Sequence, residues 1–258
     1  MSAFDPDSLD QRDPSLIRAL LPSVSAFNRH YLRLVRDGLE HIPDGPALFV
    51  SNHNGGITGP DLACTFATLL EARGVDSPLY ALAHDFVMRH VTPIGRKLQK
   101  IGAIRACPEN ARRVLERGGQ ALVYPGGDLE AYRHSRERNR IVLGERTGFA
   151  RVAQRAGAPI VPVVVHGAHR SAYIFHDGAS IARAISLRRW ARLERFPLAL
   201  ALPWGVAVGP WTPYFPLPLR VRLRVLAPIY VSSHAEPSDV RELVRSRMQT
   251  ALDTLARE

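Results

Sequence analysis

The fold is decided by residues 47–70, which read ALFVSNHNGGITGPDLACTFATLL. The stretch from Ala47 to Ser51 is a short apolar run of the kind that forms a buried strand. A polar, glycine-rich loop follows, and Pro60 suits the first turn of a helix. The apolar face of that helix carries Leu62, Phe66, Leu69 and Leu70. A strand that passes through a loop into a helix is the unit from which α/β domains are built.

The same alternation continues along the chain. Further strand-type runs lie at residues 79–83, 120–124 and 160–165, and further helical patterns begin at Pro108, after Thr147 and at Pro237. The pattern predicts a single α/β domain with a mixed, mostly parallel sheet of about seven strands flanked by helices.

Three regions follow from this pattern. We assign residues 1–40 to a polar tail and a helical arm, residues 41–235 to the α/β domain, and residues 236–258 to a C-terminal helix. The first dozen residues are polar and predict a tail. Asp13 should cap the helix of the arm, and Pro22 should kink or split it.

Composition limits what the chain can do. Its 258 residues are 46% apolar and 22% charged, a globular composition that excludes a disordered chain, a collagen-like repeat and a polytopic membrane protein. The net charge of +10 indicates an anionic partner, such as nucleic acid, acidic lipid headgroups or a phosphorylated substrate. Cys64 and Cys107 are too few for a disulfide framework, and the N-terminus lacks the basic and apolar regions of a signal peptide. We therefore expect a location on the cytoplasmic side.

A second informative segment, residues 196–219, has no charged residue and no His over 24 positions. Its length would span a bilayer, but six prolines would leave a lipid-exposed backbone unsatisfied, so we reject a membrane-spanning helix. Two interpretations stay open: an apolar loop at the interface of an anionic membrane, or a proline-rich connection packed on the core. Basic residues just before the segment favour the first, namely Arg183, Arg188, Arg189, Arg192 and Arg195.

The loop after the first strand of residues 47–70 contains the best candidate for a catalytic base. His53 stands directly after the strand, where α/β proteins place reactive groups. Asp61, eight residues on, could hold one ring nitrogen, which would leave the other free to take a proton from a hydroxyl. The neighbours that predict a flexible polar loop are Asn52, Asn54, Gly55 and Gly56.

Four blocks occur in order along the chain. They are Asn52-His53 leading to Asp61, Ile101-Gly102-Ala103-Ile104-Arg105, Val123-Tyr124-Pro125-Gly126-Gly127 followed by Glu130, and Ala158-Pro159-Ile160-Val161-Pro162-Val163-Val164. In this order the blocks resemble the membrane-associated glycerolipid acyltransferases, the superfamily of glycerol-3-phosphate and lysophosphatidic acid acyltransferases. The His53 and Pro125 blocks are closest to the branch that resembles monoacylglycerol and diacylglycerol acyltransferases.

The resemblance implies a mechanism and a set of site residues. His53 would be the general base on an acceptor hydroxyl that attacks an acyl thioester, and Asp61 would orient the imidazole. Arg105 would bind an acidic acceptor headgroup, because a guanidinium matches a phosphate in a bidentate way. Further residues implied at the substrate are Pro125, Gly126, Gly127, Glu130 and Arg133, with Gly55 and Gly56 in the loop that faces the oxyanion.

The donor implied by the resemblance is acyl coenzyme A or acyl carrier protein, and no resident cofactor or metal is expected. An arginine run after residues 125–127 is either a solvated face or a site for the phosphates of coenzyme A. The run comprises Arg133, Arg136, Arg138, Arg140 and Arg146.

The chain departs from the broad superfamily at three points. Seven residues separate His53 from Asp61, more than the superfamily has, and Thr58 stands at the usual place of the carboxylate. Gly126 stands where the superfamily has Glu, so Glu130 or Asp128 would supply that carboxylate, or none is used. The sequence has no convincing membrane-spanning helix, so attachment would be peripheral.

These observations predict acyl transfer to a hydroxyl of a glycerolipid or lysophospholipid. Three alternatives stay open: a hydrolase in which the same base activates water, a lipid-binding relative that has lost catalysis, and a nucleic-acid binder. The first two use the same site. Dispersed arginines and an aromatic content of 7% argue against the third, so we expect no nucleic-acid partner.

Overall fold

The structure is a computed structural model that describes residues 4–54, 56 and 59–258. Its helices are α1 (Pro14–Ala26), α2 (Pro60–Arg73), α3 (Asp85–His90), α4 (Thr92–Lys100), α5 (Pro108–Glu116), α6 (Gly127–Ala131), α7 (Gly148–Ala156), α8 (Ala179–Ala184), α9 (Leu187–Ala191) and α10 (Pro237–Arg257). Its strands are β1 (Val35–Asp37), β2 (Ala47–Ser51), β3 (Leu79–Ala83), β4 (Ala103–Arg105), β5 (Gln120–Val123), β6 (Ile160–His166), β7 (Tyr173–His176), β8 (Leu198–Ala201), β9 (Gly205–Val208) and β10 (Arg222–Val225).

The main sheet has seven strands in the order β1-β10-β6-β2-β5-β3-β4. The five strands from β6 to β4 are parallel to their neighbours, whereas β10 is antiparallel to β6 and β1 is parallel to β10. The predicted mixed, mostly parallel sheet is therefore confirmed. A second, antiparallel sheet of β7, β8 and β9 was not predicted.

The core lies on both faces of the main sheet, because successive side chains of a strand point to opposite faces. On β2, Leu48 and Val50 belong to the buried cluster that includes α5, α7 and α10, while Ala47 and Phe49 belong to the cluster with α1 and α2. All five residues of β2 are buried, as expected for a central parallel strand covered on both sides. This rigid strand ends two residues before His53.

The N-terminal region is more ordered than its composition predicts. Asp13 caps α1 by accepting the N–H groups of Ser15 and Leu16, as predicted, but Pro22 lies inside the helix and does not split it. The helix instead continues into a π-helical turn at Phe27–Tyr31.

Residues 4–12, here called the N-terminal strap, pack along β4 instead of forming a free tail. The Arg105 N–H donates to the Pro6 carbonyl at 3.1 Å, and Leu9 is buried in the core. The tail prediction fails here because distant side chains satisfy the polar groups of the strap, among them Gln99, which donates to two of its carbonyls.

Residues 196–219 are likewise more regular than an irregular loop. They contain the hairpin of β8 and β9, and β7 completes the three-stranded sheet. Among the residues described, no helix is long and apolar enough to cross a membrane.

The parallel strands place several polar side chains at one edge of the main sheet. The carboxyl ends of parallel strands meet at the same edge, which is where open α/β sheets bind ligands. His53 follows β2, Tyr124 follows β5, His84 follows β3, and Arg105 ends β4. This edge of the sheet is therefore the candidate location of the functional site.

Candidate active site

A His–Asp pair stands at the carboxyl end of β2. The Nδ1 atom of His53 lies 2.8 Å from Oδ2 of Asp61, in the first turn of α2. The same carboxylate oxygen accepts the Asn54 N–H at 3.1 Å. The Asp61 side chain is fully buried, whereas that of His53 is 14% exposed. The seven-residue gap thus does not prevent the two side chains from meeting.

Glycine makes the close approach of loop and helix possible. A Cβ atom at Gly59 would overlap the Asn54 carbonyl oxygen and Oδ1 of Asp61. Gly56 has a φ of +71°, in the left-handed region that glycine adopts without strain. Gly55, which the resemblance implies near the oxyanion, lies outside the residues that the structure describes, as does Thr58.

The backbone of His53 is held from the other side by Glu130. Oε2 of Glu130 accepts the His53 N–H at 2.8 Å, and Oε1 accepts the Val142 N–H at 2.9 Å. Gly126 leaves room for this carboxylate, because a Cβ atom there would lie against it. Glu130 therefore supplies a carboxylate close to the glycine that replaces the superfamily's Glu, and both of its oxygens bind the backbone.

Arg133 completes the clamp around His53. Its Nη1 donates to the His53 carbonyl at 3.0 Å, and its side chain is almost fully buried. An arginine has five N–H donors, and all of those of Arg133 are engaged within the protein. The acceptors are the carbonyls of His53, Glu130, Glu137 and Arg138 and the side chain of Asn54. The predicted contact of Arg133 with substrate would need one of these bonds to break.

Two asparagines attach the loop to the neighbouring strand β6. The Asn52 side chain exchanges two hydrogen bonds with the backbone of Val165, at 2.8 and 2.9 Å. The Asn54 side chain donates to the same carbonyl at 3.1 Å. The sequence predicts a flexible polar loop for both residues, but their side chains are buried and position the backbone on each side of His53.

The environment of His53 raises its pKa. Burial by itself lowers the pKa, but the charge of Asp61, its hydrogen bond and the charge of Glu130 together raise it above the ordinary 6.5. Burial also raises the pKa of Glu130, against the opposing charge of Arg133. With Nδ1 bound to Asp61, Nε2 is the nitrogen left to exchange a proton, and no described residue hydrogen-bonds to it.

The turn at residues 125–127 is held by its own contacts. The Gly127 N–H donates to the Tyr124 carbonyl at 3.0 Å, and Arg146 donates to the Pro125 carbonyl at 3.1 Å. The Gly56 N–H is also used, because it donates to the Ala131 carbonyl at 3.1 Å. The N–H groups of Gly56 and Gly127 are therefore engaged within the protein in this conformation. Pro125, Gly126 and Gly127 nevertheless lie at the same sheet edge as His53.

Arg105 lies at this edge but away from the dyad. Strands β5 and β3 stand between β2 and β4, a lateral separation of roughly 14 Å at the ordinary spacing of strands. Its guanidinium makes two hydrogen bonds of 2.7 Å with the carboxylate of Asp7 in the N-terminal strap. These bonds raise the pKa of Arg105 and lower that of Asp7.

Tyr124 packs beside the His53 ring, a contact that the sequence pattern does not predict. Its ring centroid lies 5.0 Å from that of His53. Burial and the charge of Asp61 raise the pKa of the Tyr124 phenol well above 10, so the hydroxyl is neutral. Its position directly after a buried strand was the signal available in the sequence.

Two further histidines, His166 and His169, lie close together near the end of β6. The rings of His166 and His169 lie 5.5 Å apart at the end of β6. Burial, with smaller effects from nearby positive groups, lowers the pKa of His169 to about 3. Across the described part of the chain, no group of three or more His, Cys, Asp or Glu side chains could hold a metal ion.

A model of the Acyltransferase family matches residues 33–166, about half of the chain, and this span includes the His53–Asp61 dyad. The chain belongs to the Acyltransferase family. The structure also resembles the crystal structure of the 1-acyl-sn-glycerophosphate (LPA) acyltransferase PlsC from Thermotoga maritima, with a TM-score of 0.56 and 16% identity, over 95% of this chain and 84% of that one. The match confirms the fold of this acyltransferase chain.

Three curated relatives extend the comparison. The chain is 27% identical over 95% of its length to an uncharacterised protein of Mycobacterium leprae (strain TN). It is 32% identical over 50% of its length to phytyl ester synthase 2, chloroplastic, of Arabidopsis thaliana. It is 28% identical over 84% of its length to the DGAT1/2-independent enzyme synthesizing storage lipids of Homo sapiens. The chain spans 65%, 19% and 60% of the lengths of these relatives, less than two thirds of each.

Proposed function

We propose that this acyltransferase-family protein moves a fatty acyl chain from a thioester donor to a hydroxyl of an uncharged lipid. The observation that carries the proposal is the His53 imidazole, bound at Nδ1 by Asp61 at 2.8 Å. The partly exposed ring keeps Nε2 for an incoming group. Such a base can activate a hydroxyl group by removing its proton. Membership of the Acyltransferase family supports the transfer of an acyl group.

The proposed reaction is a single displacement. Nε2 of His53 takes the proton of the acceptor hydroxyl while the oxygen attacks the thioester carbonyl. The new C–O bond forms, the C–S bond breaks, and the leaving thiolate receives the proton from the imidazolium. Asp61 stabilises that imidazolium and fixes the tautomer. Because a thioester is already activated, no acyl-enzyme intermediate is required.

The contacts of Arg105 favour an uncharged acceptor. A phosphate-bearing lipid would need a cation, and the arginine that the resemblance implies for this role is already paired with Asp7. Asn110 also donates to that carboxylate, at 2.6 Å. The charged and polar groups of the strap and of the sheet edge are therefore hydrogen-bonded to each other. The names of two relatives, a phytyl ester synthase and an enzyme synthesizing storage lipids, agree with this class of acceptor.

The donor is anionic in the proposal, as both coenzyme A and acyl carrier protein are. Three arginines of the run after residues 125–127 are exposed, namely Arg136, Arg138 and Arg140. The carbonyl of Arg138 accepts a bond from Arg133, so this exposed basic segment adjoins the clamp around His53. We assign the donor's negative groups to it.

The test follows a labelled acyl group into products. The chain is incubated with labelled acyl coenzyme A, or with the same acyl group on acyl carrier protein, and with diacylglycerol, a long-chain alcohol or lysophosphatidic acid. We expect ester formation with an uncharged acceptor, and a loss of about 10²–10⁴-fold in His53→Gln. His234→Gln, at an exposed position, is the matched control.

Each product identifies a different reaction. Labelled free acid at a rate independent of the acceptor would make the protein a hydrolase. No product, with binding of the lipid retained, would make it a lipid-binding relative. Esterification of lysophosphatidic acid in preference to both neutral acceptors would reject the assignment of the acceptor class.

A further inference from the structure

Both faces of the β7-β8-β9 sheet are apolar, but one is buried and the other is exposed to solvent. Residues that pair across antiparallel strands share a face. Ile174 pairs with Ala199, which pairs with Ala207, and this row is buried. We call this the inner face. The opposite side is the outer face, and it follows from the same register.

The outer face is apolar and open to solvent. Tyr173 pairs with Leu200, and Leu200 pairs with Val206, so the three side chains form one row. Their exposed fractions are 49%, 50% and 55%. Leu202 and Val208 are similarly exposed. A strand with one solvated face ordinarily carries polar residues there, and here none is charged between residues 196 and 219.

The apolar surface continues beyond the strands. Trp204, in the turn between β8 and β9, is 57% exposed, and Phe215 is 55% exposed. Large contiguous apolar patches are rare on monomeric soluble proteins and mark contacts with membranes or other partners. Tryptophan, with an apolar ring and a polar N–H, is enriched at membrane interfaces.

A cationic segment connects two neighbouring strands of this sheet. Helices α8 and α9 connect β7 to β8, and Trp190 of α9 stacks on Trp211 at 5.4 Å. Arg183, Arg188 and Arg189 of this segment are exposed, and none makes an ion pair with any carboxylate in the described part of the chain. Arginines held beside an apolar face, without acidic partners, complement negative lipid headgroups.

The sheet also lies over the catalytic loop. Its inner face lines a small cavity together with Gly56 and Tyr132, both next to the clamp around His53. The Tyr132 hydroxyl donates to the Pro210 carbonyl at 2.8 Å, which ties α6 to the segment after β9. A partner on the outer face would therefore be separated from the catalytic loop by a single sheet.

We propose that the outer face of the β7-β8-β9 sheet inserts into the surface of an anionic lipid bilayer, with Arg183, Arg188 and Arg189 binding the headgroups. Charge complementarity favours an anionic membrane over a second copy of this chain as the partner. Each copy carries a net charge of +10, so a dimer would bring like charges together. The surface would hold the enzyme where a lipid acceptor resides, but the contact itself does not depend on the reaction.

The test measures binding to vesicles. All three tryptophans, at residues 190, 204 and 211, lie in this region, so intrinsic fluorescence reports on it. We expect a blue shift with vesicles of phosphatidylcholine and phosphatidylglycerol in equal parts. Binding should weaken with added salt and with phosphatidylcholine alone. Brominated lipids should quench Trp204 because it is inserted.

Two double variants separate the apolar and cationic contributions. Leu200→Ser with Val206→Ser should abolish the blue shift at vesicle concentrations that saturate the wild type. Arg188→Ala with Arg189→Ala should weaken binding by about fivefold for each arginine removed. The matched control is Leu243→Ser with Arg247→Ala on α10, where both positions are also exposed. Circular dichroism checks that each variant folds.

Three outcomes would overturn the proposal. The first is equal binding of the variants and the control. The second is a wild type that binds neutral and anionic vesicles equally and shows no quenching by brominated lipid. The third is a concentration-dependent dimer that Leu200→Ser with Val206→Ser dissociates, because the outer face would then be an interface between copies. Esterification in detergent measures the proposed function separately from all three.

Discussion

The His53 imidazole depends on groups that hold both its ring and its backbone. Asp61 accepts from Nδ1, Glu130 accepts from the backbone N–H, and Arg133 donates to the carbonyl. The two carboxylates raise the pKa of the ring, while burial opposes them. A base with a raised pKa is stronger when neutral, but it is neutral only at higher pH.

Asp61→Asn should change the pH profile as well as the rate. A base works in its neutral form, so wild-type kcat/KM should rise with pH through a midpoint above 6.5. In Asp61→Asn the raising charge is gone while burial remains, so the midpoint should move to lower pH and the plateau should fall by about 10²–10⁴-fold. Kinetics across the pH range measure both effects. An unchanged midpoint would remove Asp61 from control of the imidazole.

Arg133→Lys should lower kcat with little change in KM. Lysine cannot reproduce five N–H donors in a planar fork, so the loop would shift. A displacement of about 1 Å at a catalytic group can cost about 10²-fold in rate. Arg155→Lys, at an exposed position of α7, should leave both constants unchanged. If KM alone rises in Arg133→Lys, then Arg133 binds substrate as the family resemblance implies.

Among the elements, those with a strong local pattern were predictable. The apolar run of β2, the start of helix α5 at Pro108 and the apolar strand β6 were predicted at or near their observed positions. The three-stranded sheet of β7, β8 and β9 was not predicted, because both of its faces are apolar. On β8 large Leu and small Ala alternate, and a search for alternating polar and apolar residues cannot detect that pattern.

The chemistry of the candidate site was predictable from the sequence, but its geometry was not. His53 and Asp61 could be paired from chemistry, but the spacing alone did not fix the shape of the loop. That shape depends on Gly59 and on side chains such as Asn52 that reach distant strands. Arg105 illustrates the limit, because its partner Asp7 lies 98 positions earlier in a segment whose composition predicts a tail.

The N-terminal strap predicts a measurable cost for Asp7→Ala. The change removes a partly buried charged pair, so Arg105 loses two hydrogen bonds and Asn110 loses one. We expect the free energy of unfolding to fall by about 1–3 kcal/mol in chemical denaturation. Asp10→Ala, whose carboxylate is exposed, should cost less than about 0.5 kcal/mol.

The same variant tests the class of acceptor. Asp7→Ala removes the two 2.7 Å bonds on the guanidinium of Arg105 and leaves only its longer ion pair with Asp85, at 3.7 Å, so lysophosphatidic acid should compete better against a neutral acceptor than it does in the wild type. Competition between the two labelled acceptors measures this ratio. If the ratio is unchanged while stability falls, Arg105 serves only to hold the strap, and the choice of acceptor lies elsewhere.

The whole molecule should lose stability in acid partly through His169. Burial lowers the pKa of this ring to about 3, whereas the unfolded chain has the ordinary value of 6.5. Between these values the unfolded state binds a proton that the folded state does not, so stability falls as the pH falls. From pH 7.5 to pH 5 the loss for one such group is about 2 kcal/mol. His169→Gln should therefore lose less stability than the wild type between pH 7.5 and pH 5, as measured by thermal unfolding, while His234→Gln at an exposed position should behave as the wild type does.

Because His53 has its pKa raised, it acts in the opposite direction, and the comparison of the variant with the wild type cancels its contribution. Equal acid losses in all three proteins would mean that His169 becomes protonated in the folded state without cost.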